Sequence, residues 1–291
     1  MKHPTIVAIW IVSLFFAAQL VGLLMMQKYM VVVDGQFEYN SMPSFFGLPI
    51  ERPEVSPTVM ASLIWGGLLA GTLLVFLLLK HGWLWIWKFW YTLAVMLCLT
   101  VAFGSILSSP APSILAFVFG LWKILRPNII VHNLTEVLMH GGLAVIFVPV
   151  LSVKSMLVVF VLVAVYDAYA VWKSKHMIAL AKFQAKSGIF AGLLVPYHIP
   201  HKKMVQKIEG KQFKLHKFRT AILGGGDITF PLLFAGVVQQ EFGFTSALII
   251  TICTSGALFC LLFLGKKDRF YPAIPFLLAG ALTGLGLSLL L

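Results

Sequence analysis

Leu223-Gly224-Gly225-Gly226-Asp227-Ile228 places a carboxylate directly after three glycines, inside an apolar stretch that runs from Thr220 to Val238. A charge at membrane depth costs a few kcal/mol or more, so an ionisable residue there marks a functional site by default. A second one stands at Asp167 in Val165-Tyr166-Asp167-Ala168, within the apolar run from Ser155 to about Lys173. Two lone aspartates in two apolar spans are the feature that the rest of the chain must explain.

Composition sets the class. With 60% hydrophobic residues, 11% charged residues and a mean hydropathy of +0.95, the 291-residue chain is far more apolar than a soluble domain of that length. It reads as an all-α, multi-pass integral membrane protein. Asp34, Glu38, Glu51, Glu54, Glu209, Glu241 and Asp268 fall in loops or at span ends, which leaves Glu136, Asp167 and Asp227 as the carboxylates in hydrocarbon. Cys98, Cys253 and Cys260 all lie in apolar runs, where thiols behave as small hydrophobes, so no disulfide framework or cysteine metal cluster is readable.

Nine spans are predicted. The first, Thr5 to Met26, is long enough to cross a bilayer and longer than a signal-peptide core, so it reads as a retained helix. A polar, proline-rich loop follows. The second span is Thr58 to Leu79, and the third opens with Trp83, Trp85, Trp87 and Trp90, an interfacial belt. Ser113 to Leu125 is apolar but short; the fifth run, Asn128 to Val150, carries His132, Asn133, Glu136 and His140. Ser155 to Lys173 is the sixth, Thr220 to Val238 the seventh, Phe244 to Leu264 the eighth and Pro272 to Leu291 the ninth. Three regions result: a bundle over 1–173, a basic amphipathic cytoplasmic loop over 174–219, and a bundle over 220–291.

Basic residues orient the chain. With the N-terminus in the cytoplasm and all nine runs crossing, nineteen Lys and Arg lie on the cytoplasmic side, eleven of them in the loop after span six, and only Lys28, Arg52 and Lys154 lie outside. That is the positive-inside pattern, and it requires the short fourth run to be a span. The C-terminus is then outside. Spans six and seven become antiparallel, with Asp167 six residues before Lys173 and Asp227 seven after Thr220. At about 1.5 Å per residue both sit roughly 9 to 11 Å below the cytoplasmic helix ends, at one depth.

Two carboxylates close together in a desolvated site share one proton and titrate as a pair. One can then take a proton from water while the other hydrogen-bonds a peptide carbonyl, the division of labour of aspartic proteases. The glycines fit that chemistry: without side chains, backbone can approach backbone, and a helix start can admit water or an extended substrate. An unwound substrate segment is naturally held by adding it to an exposed backbone edge.

Tyr166-Asp167, Gly224-Gly225-Gly226-Asp227 and Pro272-Ala273-Ile274-Pro275, in that order and on those spans, resemble the YD, GxGD and PAL motifs of presenilins and signal peptide peptidases. The resemblance implies that Asp167 and Asp227 are catalytic. It implies that Tyr166, Gly224, Gly225 and Gly226 support the site, and that Pro272, Ala273, Ile274 and Pro275 support the active conformation and bind substrate. Ile274 replaces the leucine of the PAL motif, a nearly volume-conserving change. The orientation matches the presenilin branch, which accepts substrates with an outer N-terminus, and the compact length resembles microbial, archaeal-type homologues. The reaction so implied uses water and no cofactor or metal. The expected partners are single-span membrane proteins and the lipid bilayer, with no nucleic acid; a homo-oligomer is left open.

Other readings stand beside this one. Asp167 and Asp227 also suit a proton-coupled transporter. His132, Glu136 and His140 recur every four residues on one helix face, which fits either a metal site or a polar stripe packed inside the bundle. No HExxH occurs, so zinc intramembrane proteolysis has no foothold, and Thr254-Ser255-Gly256 lacks the glycine of a serine-nucleophile motif. Met177 to Leu194 reads as an amphipathic helix at the inner leaflet, a candidate gate for substrate.

Overall fold

The computed structural model describes residues 4–33, 36–174, 190–198, 205–208, 211–214, 218–265 and 271–290. Among these are nine α-helices: α1 (Thr5–Tyr29), α2 (Pro57–His81), α3 (Leu84–Gly104), α4 (Ala111–Leu125), α5 (Ile129–Phe147), α6 (Val153–Trp172), α7 (Gly225–Phe242), α8 (Phe244–Leu264) and α9 (Ile274–Ser288). Six of them, α1, α2, α3, α5, α6 and α8, are long and apolar enough to cross a membrane. The short fourth run is a helix of 15 residues, α4, and α9 has the same length.

Local chemistry fixes the starts of α5 and α6. Asn128 caps α5 by accepting the Ile130 N–H at 2.8 Å. Ser152 and Ser155 form a reciprocal capping box at the start of α6, with bonds of 3.2 and 3.0 Å.

The bundle is built around α1, which packs on α5, α7 and α8. Gln19 of α1 is buried, and its amide donates to the Ile228 carbonyl at 2.9 Å, directly tying the first helix to the GGGD segment. Small residues let helices approach. In α9, a Cβ at Gly280 would lie 2.9 Å from the Cys253 carbonyl oxygen and one at Gly284 2.7 Å from the Ile250 Cα, so this GxxxG face seats α9 on the backbone of α8. By contrast α2 is apolar all round and touches chiefly α6, leaving most of its surface for lipid.

Among the described residues six short strands form three antiparallel ribbons: β1 (Met30–Val33) with β2 (Gln36–Tyr39), β3 (Gly192–His198) with β6 (Phe218–Gly224), and β4 (Val205–Ile208) with β5 (Lys211–Lys214). The first lies in the loop between α1 and α2, where Arg52 sits 5.3 Å over the Tyr39 ring and donates to the Asn40 carbonyl at 3.0 Å. Burial pushes the Tyr39 hydroxyl up to about 12, so it stays neutral beside the guanidinium.

The β3–β6 ribbon corrects the expected seventh span. Thr220 to Leu223 is strand, not helix, and α7 begins at Gly225. The reason is visible in the side chains: Ala221 and Leu223 are buried while Thr220 and Ile222 are exposed, a period of two, and three successive glycines are poor helix formers. Asp227 therefore stands in the first turn of α7 instead of two turns inside a span. Most of the predicted amphipathic helix, Met177 to Leu194, lies outside the described residues; its end, from Gly192, is strand β3.

Candidate active site

Asp167 belongs to the buried stripe of α6. Met156, Val159, Phe160, Val163, Ala164, Asp167 and Ala170 recur at helical spacing and are buried, while Val158, Val161, Leu162, Val165 and Tyr169 face outward. The aspartate simply takes the place that an apolar residue would hold in that stripe. From Phe230 to Gln239 every residue of α7 is buried, so its apolar character is that of a central helix.

The two helices are locked at a defined level. Phe160 and Phe234 are both fully buried, with ring centroids 5.8 Å apart. Phe160 is seven residues before Asp167 in α6, and Phe234 is seven after Asp227 in antiparallel α7. At about 1.5 Å per residue each aspartate lies about 10 Å from that contact, on the same side of it. The carboxyls are thus at one depth, and close enough to interact electrostatically.

Each carboxyl also finishes a helix N-terminus. Asp227 is the third residue of α7, in its first turn, a position that the helix dipole favours for a carboxylate. A Cβ at Gly224 would lie 3.3 Å from Asp227 Oδ2, so the fold of the carboxyl over the backbone depends on glycine there. Asp167 Oδ2 accepts the Ile274 N–H at 3.2 Å. In Pro272-Ala273-Ile274-Pro275 the prolines have no N–H, so Ala273 and Ile274 hold the segment's two donors, and that of Ile274 turns to Asp167.

Of the predicted supporting residues, Gly225 packs against His140, whose Cε1 would be 3.3 Å from an added Cβ. Gly226 is exposed, with nothing nearer than the Phe230 ring at 3.7 Å. Tyr166 turns away from the aspartates: its ring meets Trp65 edge-on at 6.0 Å and its hydroxyl reaches Thr72 of α2 at 3.4 Å.

The polar stripe of α5 packs inside the bundle. Glu136 is fully buried, ion-paired with Lys123 of α4 and hydrogen-bonded to Tyr91 of α3 at 2.7 Å. Lys123, counted above on the cytoplasmic side, is buried at this contact. His140 shares a 2.8 Å hydrogen bond with Thr229, two residues beyond Asp227, and its Nε2 lies 3.4 Å from Glu136 Oε2. Sequence reasoning found the stripe but not its partner on α4. The signal was available as a lone lysine in a short apolar helix.

Known proteins agree with this architecture. Two solved structures of a presenilin-family intramembrane aspartate protease, in C222 and P2 crystal forms, superpose with a TM-score of 0.62 at 20% identity. The first match covers 95% of this chain and 94% of the other, the second 96% of each. The fold is therefore that of a membrane-embedded protease bundle. A sequence profile described as "Signal-peptide peptidase, presenilin aspartyl protease" matches residues 68–291, and the chain belongs to that family. No curated protein sequence matches. The protein is an intramembrane aspartyl protease whose substrates are membrane proteins in the bilayer, and nothing in the comparisons supports a transporter.

Proposed function

We propose that Asp167 and Asp227 are the catalytic pair, and that they hydrolyse peptide bonds in or near single transmembrane segments. The observation that carries this reading is the common level of the two carboxyls, one in the first turn of α7 and the other facing the first turn of α9. With one carboxyl ionised and one protonated, the ionised group takes a proton from water as that water attacks the peptide carbonyl carbon. The protonated group donates to the carbonyl oxygen. Collapse of the tetrahedral intermediate breaks the C–N bond, and the proton passes to the leaving amine. No cofactor or metal is required.

Substrate is held, in this reading, by strand addition. The Gly225 N–H bonds the Ala191 carbonyl at 3.0 Å, so the hydrogen-bonded pairs of the ribbon are 191 with 225, 193 with 223 and 195 with 221. Thr220, Ile222 and Gly224 then direct their backbone groups to the other edge of β6, which no strand covers among the described residues. An unwound segment on that edge runs straight to Asp227. Pro272, Ala273, Ile274 and Pro275 support the site by fixing Asp167.

The basic residues support a nine-span topology with a cytoplasmic N-terminus and an outer C-terminus, and hence substrates of the presenilin-like sense. The test is incubation of the detergent-purified protein with a single-span substrate. Cleavage is expected from the wild type and from neither Asp167→Ala nor Asp227→Ala; cleavage surviving in either variant overturns the assignment.

A further inference from the structure

Strand β3 has two edges, and only one is paired with another strand. The register that pairs Leu193 and Val195 with β6 turns the backbone groups of Gly192 and Leu194 the opposite way, towards α5. There they meet side chains that satisfy all four groups. The Gly192 N–H donates to Glu136 Oε2 at 2.8 Å, and its carbonyl meets His132 Nε2 at 2.8 Å. The Leu194 N–H donates to Asn133 Oδ1 at 2.9 Å, and its carbonyl accepts from Asn133 Nδ2 at 2.8 Å. A carbonyl can only accept, so His132 carries its hydrogen on Nε2. The Asn133 amide presents one acceptor and one donor side by side, as a peptide group of a neighbouring strand does.

We propose that His132, Asn133 and Glu136 are positioning residues for proteolysis: they stand in for a third strand, fixing β3 and through it the substrate-receiving edge of β6 against Asp227. The proposal rests on the reading of Asp167 and Asp227 as catalytic and of β6 as the substrate edge. Its force comes from what surrounds these contacts. Glu136 reaches Gly192 only because Lys123 and Tyr91 hold its other oxygen, and Lys123 is itself tied to Thr135 at 3.1 Å. A buried ion pair is a poor source of net stability, but it orients a group well. The same helix face continues to His140, which bonds Thr229 in the second turn of α7. One face of α5 therefore grips the ribbon and the start of the Asp227 helix together, and sets the distance between the strand edge and the carboxyl.

A positioning role differs from plain anchorage in what it does to the products. If the ribbon is merely anchored, losing contacts lowers the amount of folded enzyme and leaves its KM and its cleavage position alone. If the ribbon sets register, losing contacts weakens substrate binding and scatters the cut over neighbouring bonds. The experiment uses the full chain in detergent with a single-span substrate, with product masses read by mass spectrometry and KM and kcat measured separately. Asn133→Leu removes two hydrogen bonds at nearly constant volume, and is expected to raise KM about tenfold and to add cleavage at adjacent bonds.

In case that variant fails to fold, Lys123→Met/Glu136→Gln is compared with Lys123→Met/Glu136→Met. Both lack the ion pair, but only the glutamine keeps an acceptor for the Gly192 N–H. The glutamine variant is expected to cut at the wild-type bond and the methionine variant to scatter. An unchanged KM and product pattern in Asn133→Leu, or identical patterns in the two double variants, overturns the proposal. Asp227→Ala serves as the separate control: cleavage surviving there removes the catalytic reading, whereas its loss beside an indifferent Asn133→Leu removes only the positioning role.

Discussion

The Asp167 carboxylate accepts the backbone N–H of Ile274 at 3.2 Å across a separation of 107 residues, so one member of the proposed catalytic pair also completes the N-terminus of the last helix. Catalysis and capping can be separated by substitution. Asn serves as well as Asp at a helix N-terminus but cannot act as an acid or base, whereas Ala does neither. Asp167→Asn is therefore expected to be inactive yet close to wild type in thermal unfolding. Asp167→Ala is expected to be inactive and less stable by about 1–3 kcal/mol, because the buried Ile274 N–H loses its acceptor. Equal melting temperatures for the two variants would contradict the capping role.

The glycines around Asp227 are expected to separate in the same way. At Gly192, with φ at +136°, an added Cβ would lie 2.1 Å from the Leu223 carbonyl oxygen, a main-chain clash that the ribbon cannot relieve. Gly192→Ala should thus prevent stable folding or lower the melting temperature most. Gly224→Ala presses on Asp227 Oδ2 from 3.3 Å and should cut kcat with a smaller loss of stability. At Gly226 an added Cβ would meet nothing beyond its own helix backbone closer than the Phe230 ring at 3.7 Å. Gly226→Ala is expected to leave unfolding unchanged, and a fall in kcat/KM would show that substrate uses the space it fills. Thermal melts and steady-state kinetics on the three proteins decide the order.

How much of this was legible beforehand follows from which forces act locally. Apolar run length located the helices to within a few residues, and α8 was bounded as expected at Phe244 and Leu264. The two aspartates stood out because nothing but function or a partner justifies a carboxylate in such runs. Strand β6 was missed because Thr220 to Leu223 is apolar and continuous with α7. Only its pairing with β3, more than twenty residues earlier in the chain, makes it extended. The depth of Asp227 was accordingly argued from the wrong helix start, and the Phe160–Phe234 contact restores the common level on other grounds. Tyr166 was read by adjacency to Asp167, yet neighbouring residues on a helix point about 100° apart, and its side chain goes to α2. The Lys123–Glu136 pair depends on α4 packing beside α5, which no local pattern states.

That buried pair makes its own prediction. Removing one member leaves an uncompensated charge in the bundle, so Glu136→Ala and Lys123→Ala are each expected to destabilise by about 3–5 kcal/mol. Lys123→Met/Glu136→Gln, which removes both charges and keeps volume, should recover most of that loss. Detergent unfolding followed by circular dichroism checks it. If the double variant is no more stable than either single alanine, the charges were not compensating one another.

A proton shared by the proposed pair predicts the pH dependence of cleavage. Below the first apparent pKa of the pair both carboxyls are protonated, no base remains to activate water, and the rate falls with acid. Above the second both are ionised, no acid remains to protonate the carbonyl, and the rate falls with alkali. The profile of kcat/KM should therefore be bell-shaped, with two apparent values that belong to the pair and not to either residue. A shared proton adds a condition: a change at one carboxyl must move both limbs. Gly224→Ala touches only Asp227, by pressing on its Oδ2, and is expected to shift the acid and alkaline limbs together. A profile flat between about pH 4 and 9, or a variant that moves one limb alone, would mean that the two aspartates titrate independently and that the water is activated by something else.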